Sequence, residues 1–119
     1  MALTDQQQAE LERAYAMEKL TIALHCLVTG SGDVRERVGD AFFACYTLRE
    51  RNFPPELYDD WRWIERAVTK RGPLIDHRGE VFVGSIANTM MRVRRKTAKR
   101  IAERFWKLYW AMSDNRQFS

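Results

Sequence analysis

The side chains in this 119-residue chain that could act as acid, base, nucleophile or metal ligand are few: His25, His77, Cys26, Cys45, the Asp59-Asp60 pair and the Asp33/Glu36/Asp40 group. Catalysis needs such groups in mutual reach, with one positioned by another. No spacing here brings them together. His25 falls in the most apolar stretch of the first helical segment and reads as a hydrogen-bonded core histidine, while His77, in PLIDHRGE, reads as loop surface. The carboxylates sit where helices begin, so capping and the helix dipole account for them. Cys26 and Cys45 have neither CxxC nor Cys/His spacing and are expected to be free core thiols. Phosphate-binding glycine patterns are missing, and GPLIDHRG lacks the glycine spacing that wraps backbone amides round a phosphate. The expectation is a protein with no catalytic residue, no metal and no cofactor.

Binding chemistry is better represented. Residues 86–110 carry eight basic side chains, Arg92, Arg94, Arg95, Lys96, Lys99, Arg100, Arg104 and Lys107, against the single acid Glu103. Residues 1–30 carry two basic and four acidic ones. At about 100° per residue, Met90, Val93, Thr97, Ile101, Phe105, Leu108 and Met112 share one sector, the expected core face. Arg92, Arg95, Lys96, Lys99, Arg100 and Lys107 fall opposite, with Trp106 and Trp110 one turn apart among them. Two indoles in a cationic face spend apolar area on water unless something covers them. Two outcomes are open: the first helix or the 72–84 connection covers them, or they form a contact surface in which Arg and Lys meet anionic groups while Trp anchors. Arg94 lands in the apolar sector, so either it forms a buried pair with a carboxylate from helices one to three or the stripe is uncovered there.

The elements that must position these residues follow from periodicity and caps. Helix one starts at Thr4, with Gln7 completing a capping box, and ends before Gly30 as a left-handed stop. Leu20, Leu24, Leu27 and Val28 form one stripe, with Leu11, Tyr15 and Ile22 on the far side, which predicts an almost wholly buried C-terminal half. Asp33 with Glu36 makes a second box, and Val34, Val38, Ala41, Phe42, Cys45 and Leu48 carry helix two to near Asn52. FPPELYDDW opens helix three, whose Leu57, Trp61, Ile64 and Val68 face the core until Gly72-Pro73 stops it. Residues 72–84 read as a connection in which a lone EVFV strand would have no partner, and helix four runs from Ser85 to about Ser113.

A chain of this length, 45% hydrophobic and 30% charged, suits one domain over residues 1–119 that buries roughly two-thirds of its unfolded surface. The fold expected is all-α, a compact antiparallel bundle of about four helices with a long last helix. The stretches GDVRERVGDAFFACYTLRERNFPPELYDDW and TMMRVRRKTAKRIAERFWKLYWAM resemble small all-helical bacterial proteins of unassigned function, a likeness that implies the fold and no activity. A helix-turn-helix is disfavoured, because the helix after Gly30-Ser31-Gly32 balances its acids and bases, unlike a recognition helix.

An apolar stretch too short for a membrane span and a polar N-terminus point to a cytoplasmic protein. The functional expectation is a non-enzymatic regulatory or adaptor protein whose last helix binds an acidic protein surface. Arg92, Arg95, Lys96, Lys99, Arg100, Trp106, Lys107 and Trp110 are the expected contacts. RNA or DNA binding through the same helix is the alternative, docking on anionic membrane the weaker third, and a homodimer that buries the indoles fits equally.

Overall fold

The computed structural model describes residues 2–117. In chain order they form α1 (Asp5–Thr29), α2 (Val34–Cys45), α3 (Tyr58–Thr69), β1 (Leu74–Ile75), β2 (Val81–Val83), α4 (Ser85–Arg92) and α5 (Arg95–Gln117). Short 3-10 turns at Glu50–Asn52 and Pro55–Leu57 lead into α3. The mostly helical character follows the sequence, whereas the arrangement differs from a plain four-helix bundle. α1 lies along α2 and α5, α5 also packs on α2 and α3, and α4 bridges α2 and α3.

α1 begins with the anticipated capping box: Thr4 Oγ1 accepts the Gln7 N–H at 3.1 Å and Gln7 Oε1 accepts the Thr4 N–H at 2.9 Å. Its end differs in mechanism. Gly30 is extended rather than left-handed, and its N–H reaches the Cys26 carbonyl at 2.9 Å. A Cβ there would lie 2.4 Å from the Cys26 oxygen, so glycine is required by close approach and not by a special φ. The C-terminal half is not buried all round. Ala16, Met17, Leu20 and Ala23 are buried, whereas Leu11 and Ile22 stand in water and Val28 is 78% exposed, because both neighbours of α1 lie on one side of it.

Asp33 does cap α2, accepting the Arg35 N–H at 2.8 Å. Glu36 does not complete a box; the Arg35 guanidinium instead forks onto the Asp33 carboxylate at 3.1 and 2.7 Å. α2 stops at Cys45 instead of near Asn52, and the chain turns with buried Leu48 and Asn52 beneath it. The Asn52 side chain accepts the Arg49 N–H at 2.8 Å and donates to the Glu12 carbonyl, which fastens the reversal to α1. α3 follows its stripe as read: Leu57, Trp61, Ile64 and Val68 are all buried. Trp61 lies between the stacked rings of Phe42 and Phe53, with centroids 5.7 and 5.3 Å away.

Residues 74–83 form an antiparallel hairpin, so the EVFV strand does have a partner. The Asp76 carboxylate closes its turn by accepting the N–H groups of Arg78 (2.8 Å) and Glu80 (2.9 Å), and Gly79 supplies the positive φ of 81°.

The long last helix is two helices. Val93 is extended and α5 restarts at Arg95, with the Arg94 carbonyl accepting the Ala98 N–H at 3.0 Å. Met90 would stay on the core face of α5 if the helix ran straight, but buried Asn88 and Thr89 lie about 130° to either side of that face at about 100° per residue, so a straight helix would leave these two in water. The break lets both face inward. Asn88 donates to the Gly72 carbonyl at 3.0 Å and Thr89 accepts the Arg71 N–H at 3.0 Å, so the polar pair ties α4 to the end of α3. Ile101, Phe105, Leu108 and Met112 are buried as expected, with Ala98 beside them; Val93 and Thr97, next to the break, are only half-buried.

Candidate functional site: the exposed face of α5

Four α5 core residues at 3-4 spacing fix which face of that helix points outward. Lys96, Lys99, Arg100, Glu103, Trp106, Lys107 and Trp110 are therefore exposed together. Neither α1 nor the hairpin covers the indoles: Trp106 is 52% and Trp110 48% exposed. The rings meet edge to face, with centroids 5.5 Å apart, and Tyr109 adds a second edge contact to Trp110 at 5.8 Å. Such an aromatic ledge is held by its own rings before any partner arrives.

The cations divide. Lys96, Lys99, Arg100 and Lys107 make no ion pair among the described residues, and they flank the ledge. Arg95 is exposed but turns its Nε to Asp33 at 3.5 Å, tethering the start of α5 to the cap of α2. Arg92 belongs to α4, its Nε donating to Asn88 Oδ1 at 2.8 Å, so the break removes it from the α5 face. Arg104 lies over the Trp63 ring at 4.3 Å and near Asp60 at 4.0 Å. Arg94 sits exposed in the break and forms no buried pair. Of the eight residues expected to form the contact, six share the exposed face, Arg95 stands at its edge with its charge engaged, and Arg92 lies apart.

The candidates for chemistry stay separate. His25 is exposed, with Nδ1 3.3 Å from Thr29 Oγ1, and is not a core histidine, because it lies on the water side of α1. His77 is on the surface of the hairpin turn. Cys45 is a buried free thiol whose Sγ donates to the Ala41 carbonyl, and burial pushes its ionisation up to about 12. Cys26 is free and half-buried. Asp59 and Asp60, at the start of α3, pair with Arg62 at 3.5 Å and with Arg104 of α5 at 4.0 Å. Asp33 is held well below the usual carboxylate range by the Arg35 side chain and by the Arg35 N–H. Among the described residues no three His, Cys, Asp or Glu side chains gather into a metal-binding group.

One surface feature escaped the sequence reading. α2 and α4 diverge to leave a groove of about 490 Å³, with Phe43, Ile86, Met90 and Met91 as its apolar lining and Glu36 and Asp40 on its lip. Phe43 is 53% and Met91 67% exposed. The signal was present in the doublets Phe42-Phe43 and Met90-Met91, since adjacent bulky residues on a helix cannot both face one core.

No helix among the described residues is long and apolar enough to cross a membrane. Comparison with protein-family models, with curated proteins and with solved structures finds no match to this chain, so the functional reading rests on the α5 face and its chemistry.

Proposed function

We propose that this chain is a non-enzymatic adaptor or regulatory protein that docks on an acidic protein surface through the exposed face of α5. The observation that supports it is the Trp106–Trp110 ledge, half in water and flanked by Lys96, Lys99, Arg100 and Lys107. Indoles give a protein interface its hot-spot energy because they bury a large rigid area at little entropic cost, while surrounding lysines select a partner of opposite charge and speed encounter. Nucleic acid is less well served by the same face. Among the described residues only four of its cations are without an ion pair, and Glu103 stands on the face between Lys99 and Trp106.

The test is affinity capture on the wild-type chain and on Trp106→Ala/Trp110→Ala, with nuclease-treated and untreated lysate, beside a circular-dichroism melt of both. Capture of an acidic protein that survives nuclease, is lost in the variant and leaves the melt nearly unchanged is the expected result. A collapsed melt would show the indoles to be structural. Loss of all capture on nuclease treatment, with a gel shift at low salt, would turn the reading to RNA or DNA.

A further inference from the structure

We infer that the acidic-lipped groove between α2 and α4 is a docking site for the α5 face of a second copy of this chain. The inference rests on reading α5 as a docking face and names one acidic surface that it fits. The groove has the attributes of a receptor for large apolar side chains. Glu36, Asp40 and Phe43 stand at i, i+4 and i+7 on α2, so two carboxylates and a half-exposed ring follow one another along one wall. Met90 and Met91 supply the opposite wall with unbranched, polarizable side chains that reshape around an aromatic guest. Gly39 is a buried part of the lining without a side chain, next to Met90: a Cβ there would stand in ordinary contact, 3.7 Å from Met90 Cγ.

Charge selects the occupant. Asp33, at the end of the groove, is engaged by Arg35 and Arg95. Glu36 and Asp40 make no ion pair among the described residues, and both are exposed. The complementary surface lies on the same molecule: Lys96, Lys99, Arg100 and Lys107 are likewise without ion pairs, and they flank two half-exposed indoles of a size the groove can take. Within one chain the two surfaces belong to different helices and face outward, so satisfaction comes from a neighbour. Such a contact is heterologous, the face of one copy in the groove of the next, and each copy keeps one unfilled half until the array closes or is capped.

Sedimentation equilibrium on the nuclease-treated chain tests this, with two variants. Glu36→Lys/Asp40→Lys reverses the groove lip and leaves α5 intact; Trp106→Ala/Trp110→Ala removes the ledge and leaves the groove intact. The wild-type mass is expected to rise above the 14.1 kDa monomer as concentration climbs into the hundreds of micromolar. It should fall back at 1 M salt, where the screening length is about 3 Å. Each variant alone is expected to stay monomeric and to melt cooperatively, the groove variant somewhat lower because a cation at position 36 meets the positive end of the α2 dipole; their equimolar mixture is expected to form a 1:1 pair, since one brings the α5 face and the other the groove. A wild-type chain that stays monomeric overturns the self-docking proposal even if α5 captures a foreign acidic protein. A mixture that fails to pair overturns it too. A melt that collapses in the tryptophan variant overturns the underlying reading of α5 as well.

Discussion

Trp61 is the largest fully buried side chain among the described residues. It is fully buried between Phe42 and Phe53, yet its indole N–H finds no acceptor. Trp61→Ala should cost about 3–5 kcal/mol, the usual loss for a large buried aromatic. Trp61→Phe should cost much less than its volume change suggests, because it also removes an orphaned donor. Urea melts of the two variants check the ordering, and equal losses would mean that the N–H is satisfied. The thiols make a second pair with opposite fates. Cys45, raised to about 12 by burial, should resist a thiol reagent at about pH 8 until the chain unfolds, while half-buried Cys26 reacts first. Asp33 sets the acid side of stability. Its ionisation is depressed in the folded chain, so its contribution is complete above the unfolded value of about 3.9 and fades as pH falls through the lower folded value. Glu50, lowered by its bond to Arg62, acts in the same sense, and Glu65, raised by burial, opposes both. Asp33→Asn should therefore flatten the loss of melting temperature between about pH 5 and pH 2.

The least obvious element is the break between α4 and α5. No glycine or proline marks RVRR, and a wheel drawn through it yields a consistent apolar sector, which is why the sequence reads as one helix from Ser85. What divides it is tertiary. Asn88 and Thr89 are needed inside to serve the Gly72 carbonyl and the Arg71 N–H, groups that lie just past the end of α3. Asn88→Ala should cost about 1–3 kcal/mol by orphaning the Gly72 carbonyl. The same variant should speed hydrogen exchange at the C-terminal end of α3 before the rest of the chain. Where local signals and core demands coincide, the sequence was legible: Thr4 with Gln7 opens α1, and Leu57, Trp61, Ile64 and Val68 fix α3. The hairpin was legible in principle from Asp76 and Gly79, an Asx turn with a left-handed glycine, but strands this short carry too little alternation to announce themselves. The exposure of Val28 and His25 was not legible, since α1 is apolar on several sides and only its neighbours decide which side counts. On α5 the indoles were found and their exposure was not, because exposure depends on where α1 lies.

At the level of the whole molecule, several charges pair at the surface where helices begin, while those of the α5 face and the groove lip make no ion pair among the described residues. Arg35 and Arg95 converge on Asp33, and Arg62 on Glu50 and Asp59, whereas Lys99, Lys107, Glu36 and Asp40 face water. Lys99→Glu/Lys107→Glu should therefore leave the melt within a few degrees of wild type, as exposed pairs contribute about 0–1 kcal/mol, yet abolish capture of an acidic partner. Loss of stability instead would mean that those lysines are spent within the fold.

The four tryptophans fall into distinct surroundings: Trp61 sealed between rings, Trp63 beneath the Arg104 guanidinium, and Trp106 with Trp110 open to solvent. Excited at its own indoles, the chain should emit as two populations, a short-wavelength one from the interior and a long-wavelength one from the ledge. Acrylamide should quench the second first. Anything that settles on α5 will blue-shift and shield that long-wavelength light while leaving the interior emission where it was, so the protein carries a built-in optical gauge of its own occupancy.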